Sequence, residues 1–399
     1  VTTPAGPDAT DATDGPDDGF GPDHLPYGVW SRADGSGGPP RVGARLHDRV
    51  IDLHALTGRE CFAEPSLDAF LAQGPETWAE VRAELVERVT TAWSVPLETV
   101  PLDEVVLHLP WSVADYVDFY ASEHHASHVG RIFRPDDPPL LPNWRHLPVG
   151  YHGRAGTVVV SGTPVRRPSG QRREPGQDAP SFGPTRRLDL EAELGLVVGV
   201  GSTQGTPVPV DDLAGHVFGV VGLDDWSARD VQAWEYVPLG PFLGKSFATS
   251  VSAWVTPLAA LDAAWCDLPG QDPEPLPYLG PGRTRGLDIA VEVEINGVVV
   301  TRPPYATTYW SPAQMVAHLT VNGASLRTGD LLGTGTISGP ERDQVGSLLE
   351  LSWGGTEPWG EGRTWLEDGD VVVLRYSAPS TSGGRITLGE VAGEVLPAL

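Results

Sequence analysis

Three acidic residues at alternate positions, Asp189, Glu191 and Glu193, stand in the run from Leu188 to Leu194. In a strand, side chains alternate faces, so the carboxylates share one face and the leucines the other. That pattern fits a solvated outer face. It equally fits a cation site, because adjacent carboxylates repel unless a cation or a proton intervenes. Oxygen-only ligands select a hard cation, Mg²⁺ or Ca²⁺, over zinc. A second set lies between Asp225 and Tyr236. Read as a helix, this segment predicts Asp225, Arg229, Gln232 and Tyr236 on one stripe, either an exposed polar stripe or a contact surface for a polar ligand. Nine residues further on is Lys245, the only lysine of the chain, in an apolar, glycine-containing setting. The other basic residues are all arginine, which does not replace a compact, tunable amine.

A third set comprises Asp118, Tyr120, His124, His125 and Arg134. A strand would put Asp118 and Tyr120 on one face. A histidine near a carboxylate is a candidate general base near neutral pH, or simply a histidine hydrogen-bonded in place. His125 could also ligate a metal, although no zinc-type spacing accompanies it. The fourth set is Gly335-Thr336-Ile337-Ser338-Gly339, which lets backbone approach a ligand closely, followed by Glu350 in an apolar, strand-like run. A buried carboxylate there needs a partner, and His125 is the attractive one.

The elements that must position these groups read as follows. Residues 1–24 carry six Asp and no Lys or Arg, which predicts a disordered acidic tail. Tyr27 to Leu53 reads as short strands and hairpins. Ser66 reads as a helix cap, and Trp78, Val81, Leu85 and Val89 give one helical apolar face. Pro96 to Pro110 reads as a linker, with a domain boundary near residue 110. Beyond it the chain reads as mostly strand and loop, with strands at Thr157–Gly162, Leu194–Val200, Val217–Leu223 and Val371–Tyr376. Ile289 to Val300 reads as a hairpin turning at Asn296-Gly297.

Composition limits the function classes. The 399 residues hold 27 basic and 53 acidic side chains, a formal net charge of −26, with 40% apolar content. The chain is long enough for a large core. Its charge disfavours duplex nucleic acid and anionic membrane surfaces. No apolar run approaches the ~18 residues of a membrane span. There is no signal-peptide layout, no disulfide framework and no nucleotide-binding glycine loop, so a cytoplasmic protein acting on something small is expected.

Taken together, Asp115 to Arg134, Pro142 to Arg154, Val158 to Pro164, Asp225 to Ser246, Gly335 to Trp353 and Val395 to Leu399 resemble the fumarylacetoacetate hydrolase family in its full-length form. The resemblance covers residues 25–399. It implies a mainly β (α+β) fold: a small SH3-like barrel at 25–110 and a larger mixed β-sandwich roll at 111–399 that forms a homodimer. It implies metal-dependent hydrolysis of a C–C bond of 4-fumarylacetoacetate, an anionic diketo acid, giving fumarate and acetoacetate in phenylalanine and tyrosine breakdown. Position by position, it implies Asp118, Glu191, Glu193 and Asp225 as ligands of Mg²⁺ or Ca²⁺, with Lys245 and Thr249 beside a second, Mg²⁺-like position. His125 would be the general base, oriented by Glu350. Arg229, Gln232 and Lys245 would hold the oxyanion. Tyr120, Arg134, Tyr151, Gln232, Tyr236 and Thr336 would contact substrate. Asp189 receives no role. His128 stands where the resemblance leads one to expect Asn, and Glu123-His124 where it leads one to expect a more basic pair. Hydrolysis of another acylpyruvate or 1,3-diketo acid, a decarboxylase or isomerase on the same fold, and a non-catalytic calcium-binding β module are the competing readings.

Overall fold

The computed structural model describes residues 18–91, 97–174, 176–280 and 285–399. Its main sheet runs, in spatial order, through Thr99–Pro101, Arg49–Asp52, Arg41–Leu46, Tyr27–Arg32, Trp254–Pro257, Val217–Asp225, Ala192–Val198, Leu331–Gly333, Tyr116–Phe119 and Gly150–His152. A second sheet orders Val298–Thr301, Ala290–Ile295, Val371–Pro379, Arg385–Leu396 and Val165–Arg166. The class is the expected mainly β, α+β one.

The N-terminal strands are not an isolated unit. Tyr27 and Gly28 pair with Val255 and Trp254, so the first hairpins continue the main sheet. Val105–His108 pairs with Tyr27–Arg32 on the same strand. The turn Leu102–Glu104 carries the chain from the Arg49–Asp52 edge to this one, so the five strands curl on themselves. No ladder among the described residues closes them into a complete barrel. The expected linker at 96–110 is therefore corrected: Thr99–Pro101 and Val105–His108 are sheet strands, because Val100, Val105 and Leu107 have apolar surface to cover. Pro96, where that stretch begins, lies outside the described residues.

The acidic-tail expectation also changes. Residues 1–17 lie outside the described residues, but 18–24 are packed. Phe20 is buried under the Arg45 guanidinium. His24 is wholly buried, with Nδ1 on the Gly19 carbonyl (3.2 Å) and Nε2 on the Thr256 hydroxyl (2.9 Å). One aromatic and one imidazole outweigh the local acidity that the composition emphasised.

Phe218 shows how this region braces the rest. Tyr27, Phe70 and Trp78 surround its ring at centroid distances of 5.4, 5.5 and 5.3 Å. Phe218 lies on the strand that ends at Asp225. From the other side, the Tyr376 hydroxyl donates to the Leu223 carbonyl (3.1 Å) and accepts from the Leu223 N–H (3.2 Å), tying the second sheet to that strand. The helical stripe at 75–90 appears as expected, with Trp78, Val81 and Leu85 buried. The Asn296-Gly297 turn has φ of +53° and +81°, as a type I′ hairpin requires. The two longest helices beyond residue 110 among the described residues interrupt the strand-and-loop expectation: Glu123–Phe133, capped by Ser122, and Pro312–Thr320, with a Ser311/Gln314 capping box and Pro at its first turn.

Burial, reinforced by the Arg82 charge, lowers the His24 pKa to about 3 from its ordinary 6.5. The unfolded chain therefore takes this proton first. Its contribution is constant above pH 6.5 and is lost as pH falls from there toward 3. Between pH 7 and 5 this amounts to about 2 kcal/mol for one group. His24→Gln should reduce the stability lost between those pH values by about that amount in urea melts. An unchanged pH dependence contradicts the assignment.

Candidate active site

The site is assembled at strand ends. Asp118 sits on Tyr116–Phe119, opposite Gly333 on one side and Tyr151 on the other. Glu193 and Asp225 lie on the neighbouring strands Ala192–Val198 and Val217–Asp225, and Glu191 just precedes the first of these. Asp118, Glu191, Glu193 and Asp225 are all buried, with one oxygen from each within 4.8 Å of the others. The alternation thus marks a buried cluster, not a solvated face. Gly333 leaves room there: a β-carbon would come 3.1 Å from Glu193 Oε2 and 3.2 Å from Asp118 Oδ1, so a larger residue would push on both carboxylates.

Two cations share this cluster. Lys245 Nζ donates to Glu191 Oε2 and to Asp225 Oδ2, the latter at 2.6 Å. Arg229 donates from Nη2 to Glu191 Oε1 (2.6 Å), from Nε to Asp189 Oδ2 (2.7 Å) and from Nη1 to the Gln232 amide oxygen (3.1 Å). Thr249 donates to Asp225 Oδ1 (3.2 Å), and the Gly335 N–H to Glu193 Oε2 (3.0 Å). Asp118 Oδ1 and Glu193 Oε1 are buried with no hydrogen-bond partner among the described residues.

The electrostatics follow from this uneven sharing. Burial would raise Glu191, but Lys245 and Arg229 hold it well below the usual carboxylate range. Burial and the neighbouring carboxylates push Asp118 and Glu193 well above it. Burial raises Asp225 too, against the pull of Lys245. Burial would lower Lys245, yet Asp225 and Glu191 raise it, so it remains a cation. Counting Asp189, five buried carboxylates face two cations. Orphaned oxygens, an all-oxygen donor set and excess negative charge fit a hard divalent cation.

Beside the cluster, His125 Nδ1 donates to Glu350 Oε2 at 2.7 Å, leaving Nε2 as the basic nitrogen, 4.0 Å from Glu191 Oε1. Burial favours the neutral acid at Glu350, but His125 and His128 outweigh it and bring its pKa to about 2. Glu350 belongs to the short helix Leu348–Leu351, not to a strand as expected. Asp225 likewise ends a strand, and the helix begins only at Arg229. The four-residue stripe is therefore a strand end facing a helix.

Of the expected residues, Asp118, Tyr120, His125, Tyr151, Glu191, Glu193, Arg229, Gln232, Tyr236, Lys245 and Thr336 line one cavity of about 350 Å³. Glu350, Asp225 and Thr249 stand behind that wall. Arg134 lies outside it, donating to the Pro139 carbonyl at 3.3 Å. Sequence reasoning left Asp189 without a role. Its Oδ1 accepts from Leu348 N–H (2.7 Å) and its Oδ2 from Leu349 N–H (2.9 Å), so it links Arg229 to the helix carrying Glu350. Its place in the alternating acidic run was the available signal. The apolar wall, Val129, Phe133, Val149 and Leu239, had none.

A carboxylate cluster on a β scaffold that could hold a divalent cation, with a histidine–carboxylate pair and fixed cations at one cavity, is equipment suited to hydrolysis. The chain belongs to the fumarylacetoacetate hydrolase family. Residues 115–395 match the family model described as fumarylacetoacetate (FAA) hydrolase C-terminal, and residues 23–110 match fumarylacetoacetase N-terminal. The chain is 43% identical over 411 residues to fumarylacetoacetase of Rattus norvegicus, covering 96% of this chain and 97% of that one. It is 41% identical to the Arabidopsis thaliana fumarylacetoacetase with the same coverage. Among solved structures, fumarylacetoacetate hydrolase from psychrophilic Exiguobacterium antarcticum shares the fold with a TM-score of 0.56 at 16% identity, over 94% of this chain and 99% of that one. Maleylpyruvate hydrolase from Sphingobium sp. SYK-6, solved with manganese(II) and pyruvate, gives 0.54 at 17%, over 94% and 100%.

Replacing Asp225 by Ala removes one carboxylate and leaves Lys245 paired with Glu191 alone. Divalent-cation affinity measured by calorimetry should fall at least about tenfold. Unchanged affinity would place the cation elsewhere.

Proposed function

We propose that this chain hydrolyses 4-fumarylacetoacetate to fumarate and acetoacetate, with His125 as general base and Glu350 as its orienting partner. The supporting observation is the His125–Glu350 pair, with His125 in the wall of the cavity that Asp118, Glu191, Glu193 and Lys245 also line. His125 Nε2 takes a proton from water. The resulting hydroxide adds to the carbonyl carbon next to the fumaryl group. Arg229, Gln232 and Lys245 hold the oxyanion; losing one such donor typically costs about 3 kcal/mol of barrier. The C–C bond then breaks with its electron pair leaving on the acetoacetate carbon, which recovers the proton from His125.

Asp118, Glu191, Glu193 and Asp225 would hold Mg²⁺ or Ca²⁺, with Lys245 and Thr249 adjoining a second position. When bound, the cation supplies Lewis-acid stabilisation of the diketone oxygens. Tyr120, Tyr151, Tyr236 and Thr336 are the proposed substrate contacts. Arg134 spends one donor on the Pro139 carbonyl and lies outside the cavity lining, so its role as clamp rests on the family resemblance. The same reading gives a cytoplasmic enzyme of phenylalanine and tyrosine catabolism that has no nucleic-acid or membrane partner. It works as a homodimer, consistent with the exposed apolar loop of Val237, Leu239 and Phe242 at the cavity mouth.

The test is turnover of fumarylacetoacetate by the purified chain, stripped by chelator and then restored with Mg²⁺ or Ca²⁺. Cation-dependent appearance of fumarate and acetoacetate is expected. Cleavage of a different diketo acid alone would move the assignment to that substrate. His125→Ala should keep the fold and the bound cation but lose turnover by ~10²-fold or more. Near-normal turnover would remove His125 as the base.

A further inference from the structure

Glu350 is shared between two imidazoles. Its Oε2 accepts from His125 Nδ1 at 2.7 Å, and its Oε1 accepts from His128 Nδ1 at 2.8 Å. The hydroxyls of Ser338 and Ser347 complete Oε2 at 2.9 and 2.8 Å. The Glu350 side chain is fully buried, whereas that of His128 is 17% exposed. The two histidines stand three residues apart on Glu123–Phe133, hence on one face of the helix. One reaches the cavity and the other reaches solvent, with the same carboxylate between them.

The second ring is also held. Trp353 packs edge-on against His128, with centroids 5.8 Å apart and planes at 65°. To do so, Trp353 takes φ of +46°, a left-handed conformation rare for a bulky residue. Such backbone persists where its surroundings fix it, and it clusters at functional sites. Among the described residues, the titratable groups facing His128 are Glu350 from the Leu348–Leu351 helix and His124 from its own helix, with His125 on the other oxygen of Glu350. Among the described residues, its Nε2 has no hydrogen-bond partner.

We propose that His128 is a positioning residue for the general base, and that its protonation from solvent weakens that base. The inference rests on the hydrolytic reading given above. Neutral His128 donates one hydrogen bond to Oε1 and so fixes the carboxylate with Oε2 toward His125. Protonated His128 places a full positive charge against the same carboxylate. Glu350 then serves two cations once His125 has taken the proton from water, and the imidazolium at His125 is less stabilised. One N–H bond forms at His128 Nε2 and breaks again when the proton returns to solvent; nothing else is consumed.

Two substitutions separate geometry from charge. His128→Asn keeps a donor but cannot titrate, and His128→Ala removes both. On the cation-loaded enzyme, the Ala variant should lower kcat by about tenfold with KM little changed, as expected when an interaction made in the transition state is lost. The Asn variant should keep most of kcat at alkaline pH, with the acid limb of its pH profile displaced to lower pH. Unchanged kcat and an unmoved acid limb in both variants would overturn the proposal. So would equal losses of kcat in both with the limb unmoved, the signature of a purely structural role.

A readout independent of turnover is NMR titration of the imidazole signals in the cation-loaded protein. Protonation of His128 should shift the His125 signals, and Glu350→Gln should abolish that coupling. Absence of coupling in the wild type also overturns the proposal. If the coupling is present but fumarylacetoacetate is not hydrolysed, the substrate assignment fails and the two-histidine device stands.

Discussion

Everything in this molecule is organised around buried negative charge. Taking a carboxylate out of water costs several kcal/mol unless it is paired and hydrogen-bonded. Asp118, Glu191, Glu193 and Asp225 are buried together, and two of their oxygens have no hydrogen-bond partner among the described residues. Lys245 and Arg229 neutralise part of the cluster and no more. The cluster is thereby left with an appetite for a divalent cation while two fixed positive groups remain at the cavity wall. The same two groups are the ones proposed to hold the oxyanion.

Holding such a cluster needs a scaffold that does not relax. Phe218 in its aromatic cage braces the strand that ends at Asp225, and Tyr376 clamps the backbone at Leu223 from the second sheet. Gly333 keeps the space between Asp118 and Glu193 free of side chain. Asp189 carries order outward, from Arg229 to the helix that holds Glu350. The N-terminal region therefore contributes to the site without touching it, since Tyr27, Phe70 and Trp78 form the cage around Phe218.

Much of this was legible in the chain itself. The alternation at Asp189, Glu191 and Glu193 pointed to a shared face, and the solitary Lys245 in an apolar setting pointed to a buried amine. The Asn296-Gly297 turn and the stripe from Trp78 to Leu85 were readable from local chemistry alone. What failed had nonlocal causes. Glu350 looked strand-like because its neighbours are leucines, but the Ser347 cap and Asp189 turn that run into a helix. Asp225 and Arg229 share a period-four spacing, yet sheet pairing to Thr249 claims Asp225. Phe20 and His24 lie in an acidic, glycine-rich stretch, and only their partners across the fold show that they are buried. The sharing of Glu350 by His125 and His128 joins residues more than two hundred positions apart, which no local pattern encodes.

The central claim is that the four carboxylates form one cation site. Its most direct test is an anomalous difference map from crystals of the protein soaked in Mn²⁺, a stand-in for Mg²⁺ or Ca²⁺. The account predicts a peak within coordination distance of Asp118, Glu191, Glu193 and Asp225. A well-ordered cluster without a peak, or with manganese bound only elsewhere, would contradict it.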